Sequence, residues 1–360
     1  MRTLYFALPI VAVLMIVGCG ETTQPVPDVA YDATPYQLSY GNLPSPDLPT
    51  DYPLTVQRVA LGRELFYDGV LSRTGEQSCA SCHVQTDGFS DLRRYSIGVR
   101  GLPGKRQAMA VMNLAWHRDG FFWDGRAATL REQALHPIRD TLEMDETLDN
   151  VVRKLLALPA YTQQFKRAFG SDTITAERIG IALEQFMMSV VSTNSKLDRV
   201  RRGEETFTES ELRGSQIFNR EFDPRGRWKG GECFHCHAEP FFTNDRYINN
   251  GLDDDASVTD QGRFRITGVP RDMAAFKVPS LRNIAVTAPY MHDGRFATLE
   301  EVIDHYNVGV KRSLSVDPLL QYNMQVGGLG LNEQDKADLV AFMKTLTDDA
   351  FLKDPAYAKP

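Results

Sequence analysis

Three stretches of the chain carry apolar residues at helical spacing. Apolar side chains that recur every three or four positions line one face of a helix. The three faces consist of Val56, Ala60, Leu61, Leu65 and Phe66; of Ile179, Leu183, Phe186, Met187 and Val190; and of Leu339, Val340, Phe342, Met343 and Leu346. Asn332 is a candidate N-cap for the last helix. Because no sustained alternation typical of strands is present, the pattern predicts a mainly α-helical protein.

Four short segments occur twice, in the same order. The pairs are GRELF (62–66) and GSQIF (214–218), CASCH (79–83) and CFHCH (233–237), NLA (113–115) and NIA (283–285), and DGRAATLRE (124–132) and DGRFATLEE (293–301). The two members of each pair are 152, 154, 170 and 169 residues apart, so one insertion between the second and third pairs accounts for the increase. A repeat in fixed order indicates a duplicated domain. We expect the shared residues to form scaffold and the divergent ones to carry function.

Length and charge limit the classes of protein to be considered. The 360 residues, of which 42% are apolar, suit two domains with packed cores. The net charge is −7 and no basic run is present. This balance argues against nucleic acid as a partner and leaves room for a basic protein partner.

The first residues have the anatomy of an export signal. Arg2 precedes an apolar run over residues 4–17, which ends at Gly18 before Cys19. We expect a signal peptide over 1–18. Residues 16–19, IVGC, resemble a bacterial lipobox, which predicts lipidation of Cys19 and a lipid-anchored tether over 19–54. A plain signal peptide and a short anchor are the alternatives, and all three place the folded part outside the cytoplasm, in the periplasm.

Four of the five cysteines lie in two copies of C-x-x-C-H. In this motif two thiols reach the vinyl groups of one haem, and the histidine, one helical turn from the first cysteine, reaches the iron. Disulfides and zinc are the alternatives; zinc prefers four ligands from one local cluster. The motifs therefore predict two tandem cytochrome c-like domains, each with one covalently bound haem c. Their ligands are Cys79, Cys82 and His83, and Cys233, Cys236 and His237.

Residues 121–144 and 278–309 resemble the bacterial dihaem cytochrome c peroxidase family, which includes the MauG branch. The resemblance covers residues 55–348. It implies an N-terminal peroxidatic haem domain over 55–200 and a C-terminal electron-transfer haem domain over 201–331, followed by a C-terminal helix and tail over 332–360.

The resemblance also implies roles for four residues of the first copy. Trp123 matches the tryptophan that bridges the two haems, whereas the second copy has His292 at that position. Glu143 matches the catalytic glutamate, which suits a carboxylate that shuttles a proton between the oxygens of peroxide. Gln133 matches the glutamine that positions peroxide, and Pro137 is expected to shape the pocket.

Two departures from the typical peroxidases concern iron ligands. Residues 96–107 contain no histidine, whereas many relatives carry a distal histidine on this loop. We therefore expect an open first haem and interpret His117 as a residue that packs or hydrogen-bonds near the surface. Tyr306 stands where the typical peroxidases have a methionine, as in the MauG branch. Met273, Met291 and Met324 are the rival ligands, and His136, His292 and His305 are interpreted as structural residues or as residues that support the ligands.

Between the domains, the family binds calcium through backbone carbonyls and a side-chain amide. Thr287 and Pro289 match two of these positions, and Gln107 replaces the usual asparagine. An oxygen-rich site at these three residues would suit Ca²⁺.

The expected function is reduction of H2O2 to water at the first haem, with electrons relayed through the second. The donor would be a small c-type cytochrome or a cupredoxin. A MauG-like oxidation of aromatic residues in a partner protein is the first alternative. A pure electron-transfer dihaem cytochrome is the second. The sequence leaves open whether the protein forms a homodimer.

Overall fold

The computed structural model describes Met1 and residues 29–360. Residues 2–18 of the expected signal peptide and Cys19 lie outside the described residues. In the described part, eleven α-helices alternate with short 3-10 turns and long irregular connections. The helices are α1 (Val56–Tyr67), α2 (Leu130–Arg139), α3 (Leu148–Leu156), α4 (Pro159–Phe169), α5 (Ala176–Ser189), α6 (Lys196–Arg201), α7 (Glu209–Phe218), α8 (Phe264–Thr267), α9 (Leu299–Asp304), α10 (Pro318–Gln325) and α11 (Glu333–Lys344).

Strand structure in the described residues is confined to two short segments. β1 (Tyr247–Ile248) pairs antiparallel with β2 (Phe276–Lys277), with Tyr247 opposite Lys277 and Ile248 opposite Phe276. The prediction of a mainly helical protein is therefore confirmed. No helix among the described residues is long and apolar enough to cross a bilayer.

The three predicted helices correspond to α1, α5 and α11. Asn332 caps α11 by accepting a hydrogen bond from the amide of Asp335, as the sequence indicated. The stripe on α1 was assigned partly wrongly, because Val56 is 40% exposed and Ala60 is also exposed. The buried apolar residues of α1 begin at Val59 instead and continue through Leu61, Leu65 and Phe66.

Each half of the chain is built on one close helix crossing. α1 crosses α5 at Gly62, where a Cβ would lie 1.8 Å from the carbonyl oxygen of Ala182. α7 crosses α11 at Gly214, where a Cβ would lie 1.9 Å from the carbonyl oxygen of Asp338. Only glycine allows two backbones to approach so closely. The repeated GRELF and GSQIF segments therefore mark equivalent crossings in the two halves.

The repeated DGR segments also adopt matching structures. Phe121 bridges to Ala127 in the first half, and Tyr290 bridges to Phe296 in the second. A threonine then caps the helix that follows in each half: Thr129 accepts from the amide of Glu132, and Thr298 does so from that of Glu301. Each half buries its own apolar cluster. The sequence repeat is thus a structural duplication.

Residues outside the duplicated segments, at both ends of the described chain, pack against the first half. Residues 29–54, the described part of the expected tether, lie along the first half: the amide of Asp32 donates to the carbonyl of Arg167 at 2.9 Å, and Asp51 pairs with Arg131 at 2.6 Å. At the other terminus, Phe351 and Leu352 leave the second half and enter the apolar core of the first.

We predict that Gly62→Ala lowers the free energy of unfolding by about 1–3 kcal/mol, because the added methyl group must push α1 away from α5. Gly104→Ala is the control, since the carbonyl oxygen of Ser96, the nearest atom to the added Cβ, would lie 3.6 Å away. Urea unfolding followed by circular dichroism measures both. Equal unfolding midpoints for the two variants would show that the crossing tolerates a side chain.

Candidate functional site

The first C-x-x-C-H motif forms a 3-10 turn, Cys79–Ser81, at the wall of a cavity of about 870 Å³. The amide of His83 donates to the carbonyl of Cys79 at 2.9 Å. The Nδ1 atom of His83 lies 3.0 Å from the carbonyl oxygen of Phe89. Because a carbonyl only accepts, Nδ1 carries the proton and Nε2 is left as a ligand atom. Burial lowers the pKa of His83, which favours the neutral, metal-binding form.

The second motif repeats this arrangement. The Nδ1 atom of His237 lies 2.9 Å from the carbonyl oxygen of Phe242, and its amide donates to Cys233 at 2.8 Å. Its cavity has a mainly apolar lining that includes Phe218, Leu339 and Met343. Two thiols and one imidazole whose Nε2 is available as a ligand atom suit a covalently bound haem at both sites.

The alternatives of disulfides and zinc find no support in the described residues. None of the four motif cysteines is in a disulfide. Within residues 29–360, the one cluster with metal-ligand spacing is Glu221, Glu232 and His235, which contains neither Cys nor haem-binding His.

The peroxidatic residues expected from the resemblance line the first cavity together. Glu143, Gln133 and Pro137 all contribute to the wall that also holds Cys79 and His83. Gln133 and Pro137 lie on α2, and Glu143 lies in the turn that follows, where its amide donates to the carbonyl of Asp140. The structure therefore brings the predicted residues to one place.

The carboxyl group of Glu143 has a pKa raised to about 7. Burial is the main cause, and the neighbouring Asp140 adds to it, while Arg126 opposes both. A carboxyl group with a pKa near neutrality can both accept and return a proton. This is the property that a distal proton shuttle requires.

The loop over residues 96–107, which contains no histidine, is hydrogen-bonded to the backbone of Glu143. The amide of Val99 donates to the carbonyl of Glu143 at 2.8 Å. A Cβ on Gly98 would lie 2.0 Å from the carbonyl oxygen of Leu142, so this contact requires glycine. The loop thus lines the cavity with Ser96, Gly98 and Gly104.

His117, interpreted as a residue that packs or hydrogen-bonds near the surface, pairs with an acidic side chain and is largely buried. Its side chain is only 12% exposed and its Nδ1 lies 3.4 Å from a carboxylate oxygen of Asp245. It also lines the first cavity. Burial lowers its pKa to about 4, which keeps the ring neutral. Asp245 is far away in sequence, so no local pattern indicated the pairing.

Trp123 lines both cavities and is 8% exposed. Its indole N–H donates to the carbonyl of Gln107 at 2.8 Å, and its own carbonyl accepts from the amide of Lys277. The ring packs against Ala274 and Phe276 of the second half. An aromatic ring held between two haem cavities in this way is suited to carry electrons between them.

His292, the counterpart of Trp123 in the second copy, also lies at the boundary between the halves. Its ring stacks on that of Phe276 with centroids 3.6 Å apart and an angle of 10°. Its carbonyl accepts from the amide of Gln107 at 2.8 Å. Burial lowers the pKa of His292 to about 4. The backbone of Gln107 is therefore hydrogen-bonded to both Trp123 and His292, which occupy equivalent positions in the two copies.

Cations that the sequence did not single out surround the Trp123 loop. Arg106 pairs with Asp124 and with Asp260, both at 2.7 Å. Lys277, whose side chain is 1% exposed, pairs with Asp245 at 2.6 Å. Arg106 and Lys277 line the first cavity. Their partners come from distant segments, which is why the pattern of the chain gave no signal.

Tyr306 lines the second cavity and belongs to a π-helical turn, His305–Gly309. Such turns are rare and occur frequently at functional sites. The Tyr306 hydroxyl lies 3.2 Å from Nδ2 of Asn250, and the sulfur of Met291 lies 3.4 Å from the same nitrogen. Met291 also lines the cavity, whereas Met273 and Met324 do not. Burial raises the pKa of Tyr306 to about 12.

The three residues expected to bind calcium lie near the boundary between the halves. The side-chain nitrogen of Gln107 donates to Ser90 and to the carbonyl of Asp91, both at 3.0 Å. Thr287 approaches the turn after His83, since a Cβ on Gly88 would lie 2.8 Å from its methyl group. Pro289 lies next to Gly294 in the second DGR segment. Calcium binding here stays a prediction.

Comparison with known proteins gives consistent matches. The family model for di-haem cytochrome c peroxidase matches residues 56–206. The methylamine utilization protein MauG of Methylorubrum extorquens is 38% identical over 300 residues, 83% of this chain and 80% of that protein. The cytochrome c551 peroxidase of Nitrosomonas europaea is 34% identical over 82% of each chain.

A solved structure extends the likeness to the whole fold. The crystal structure of a MauG-like protein associated with microbial copper homeostasis superposes with a TM-score of 0.80 and 34% identity. The match covers 90% of this chain and 99% of that one. With its paired haem-binding motifs and its duplicated helical halves, the chain belongs to the dihaem cytochrome c peroxidase and MauG family.

Proposed function

We propose that this oxidoreductase reduces hydrogen peroxide to water at the His83 haem, with electrons that arrive through the His237 haem. The observation that carries the proposal is the position of Glu143 in the wall of the His83 cavity with a pKa raised to about 7. A protein that only carried electrons would have no use for such a group beside an open cavity.

The reaction consumes one H2O2, two electrons and two protons and releases two waters. Haem iron, when bound, supplies the coordination site for peroxide and the electrons that cleave the O–O bond. The carboxylate of Glu143 accepts the proton of the inner oxygen and gives it to the outer oxygen, which then leaves as water. Gln133 holds the peroxide by hydrogen bonds in this orientation.

The electron route we propose runs through Trp123. Its ring lines both cavities, and its hydrogen bond to Gln107 fixes its orientation. A small c-type cytochrome or a cupredoxin would deliver the electrons in the periplasm. Membrane attachment through a lipidated Cys19 and a calcium ion at Gln107, Thr287 and Pro289 are further parts of this proposal.

A second function, oxidation of aromatic side chains in a partner protein, is favoured by Tyr306. A phenolate ligand stabilises the oxidised form of iron, whereas a methionine raises the potential. Burial raises the pKa of Tyr306 to about 12, so a phenolate in this cavity requires a cation such as iron. Two relatives called MauG, 38% and 36% identical to this chain, share the family.

We predict that Glu143→Gln cuts peroxide turnover by roughly 10²-fold or more, the scale of a lost acid–base group. Both haem spectra should be preserved, because the amide occupies the same space. Steady-state peroxide consumption with a reduced donor measures the change. Glu132→Gln is the control, since Glu132 lies on α2, the helix that precedes Glu143, with its side chain 47% exposed. Wild-type turnover in the Glu143 variant would exclude Glu143 from proton transfer.

The rate of reaction with peroxide should fall as the pH drops through about 7, because Glu143 accepts a proton only as the carboxylate. Asp140→Asn should move this transition to lower pH, since the charge of Asp140 raises the pKa of Glu143. Asparagine retains the side-chain oxygen that accepts from the amide of Leu142 at 2.8 Å. Stopped-flow rates across the pH range test both. An unshifted profile in the Asp140 variant would assign the transition to another group.

Tyr306→Phe should change the ferric spectrum of the second haem while both haems stay covalently attached, because the phenolate ligand is lost. Met291→Leu should leave that spectrum unchanged. Absorption and electron paramagnetic resonance spectra follow the ligands, and mass spectrometry counts the haems. The opposite pattern, with an effect of Met291→Leu alone, would assign methionine to the second iron and would favour a conventional peroxidase.

A further inference from the structure

The two haem-binding histidines are backed by matching sets of three phenylalanines. In each half, Nδ1 of the histidine is hydrogen-bonded to the backbone carbonyl of one phenylalanine. The ring of that phenylalanine packs against a second phenylalanine, which lies on α1 in the first half and on α7 in the second. That ring in turn packs on a third from the crossing helix, with centroids 5.2 Å apart in both halves. The sets are Phe66, Phe89 and Phe186 in the first half and Phe218, Phe242 and Phe342 in the second.

One contact breaks this symmetry. Phe351, which is 3% exposed, packs against Phe89 with centroids 5.7 Å apart. Phe351 comes from the tail after α11 and so belongs to neither haem-binding motif. Within the described residues, the rings in contact with Phe242 are Phe218 and Phe342, both from its own half. The second set also has a fourth ring, Phe207, but it packs on Phe342 and not on Phe242. Among the described residues, Phe89 is therefore the supporting phenylalanine that contacts a ring of the tail.

The tail is tied to the residues that flank His83. The side-chain nitrogen of Gln85 donates to the carbonyls of Phe351 at 3.1 Å and Asp354 at 2.9 Å. The hydroxyl of Tyr67 donates to the carbonyl of Tyr357 at 2.7 Å. Gln85 follows His83 by two positions, and Tyr67 follows Phe66, whose ring lies beside that of His83.

The base of the tail is anchored to both halves. Asp348, only 2% exposed, accepts from the amides of Thr193 at 3.0 Å and Asn194 at 2.8 Å. Its own amide donates to the side chain of Asn283 at 2.8 Å, and the amide of Phe351 donates back to its carboxylate at 3.1 Å. The direction in which Phe351 leaves the second half is thereby fixed.

We propose that the C-terminal tail is a positioning element for His83, with Phe351 holding the Phe89 carbonyl that accepts the Nδ1 proton. The hydrogen bond at Nδ1 sets the orientation of the imidazole and the basicity of its Nε2 atom. The tail therefore gives the first iron a more firmly held ligand than the second. This inference requires that each motif binds a haem, as in the proposed function, but it holds whichever of the two proposed reactions the protein catalyses.

The backbone of Phe89 is the part of the site on which the loss of Phe351 would act. Its φ angle is +56°, in the left-handed region that is unfavourable for a bulky residue. Such a conformation persists where the surroundings hold it. Phe89 is fully buried, and Phe351 contributes one wall of its packing. Loss of that wall would let the peptide after Phe89 rotate and its carbonyl leave His83.

The test is Phe351→Ala in the full-length protein with both haems. Resonance Raman spectra of the reduced protein report the iron–histidine stretch, and a redox titration reports the potential of each haem. We expect the stretch of the first haem to broaden and move to lower frequency and its potential to shift, with the second haem unchanged. Gln85→Ala, which releases two tail carbonyls, should move the same band in the same direction.

Leu352→Ala is the matched control, because Leu352 is the next residue in the tail and is buried in the same core. Its loss should lower the melting temperature without moving the first-haem band. Identical spectra for Phe351→Ala and wild type would overturn the proposal, as would equal shifts for Phe351→Ala and Leu352→Ala. None of these measurements depends on peroxide turnover. The proposed function could therefore fail while the positioning role of the tail is confirmed, or the reverse.

Discussion

Both halves of the molecule depend on one hydrogen bond, from Nδ1 of the motif histidine to the carbonyl of a phenylalanine a few residues later. The bond fixes the tautomer, so that Nε2 faces the cavity as a ligand atom. Its acceptor is in place only because Phe89 and Phe242 adopt left-handed backbone conformations inside packed aromatic clusters. Those clusters in turn require the close helix crossings at Gly62 and Gly214.

On this common framework, the two cavities have diverged in polarity. The first is lined by Glu143, Gln133 and His117 together with cationic side chains, whereas the second has mainly aliphatic and aromatic walls. A buried carboxyl group needs nearby polar groups to exchange protons, and an electron-transfer site benefits from the exclusion of water. The difference between the copies therefore agrees with a division of labour between them.

The sequence predicted the parts of this structure that are local or repeated. The haem motifs are consecutive residues, the crossing glycines lie in a repeated segment, and Asn332 caps a helix that begins at the next position. Glu143 and Trp123 could be found only through the family resemblance, because an isolated acid or tryptophan has many roles. His117, Lys277 and Phe351 escaped prediction because their partners lie far away along the chain, and only the folded backbone brings them together.

The hydrogen bond of Trp123 has a consequence for how charge crosses the molecule. A backbone carbonyl is too weak a base to take the indole proton, so on the proposed route the ring passes an electron while it keeps its N–H bond to Gln107. Only electrons, and no protons, then pass between the halves through Trp123. In the proposed peroxide reaction, the two protons that become part of water would therefore reach the first cavity by a route separate from that of the electrons.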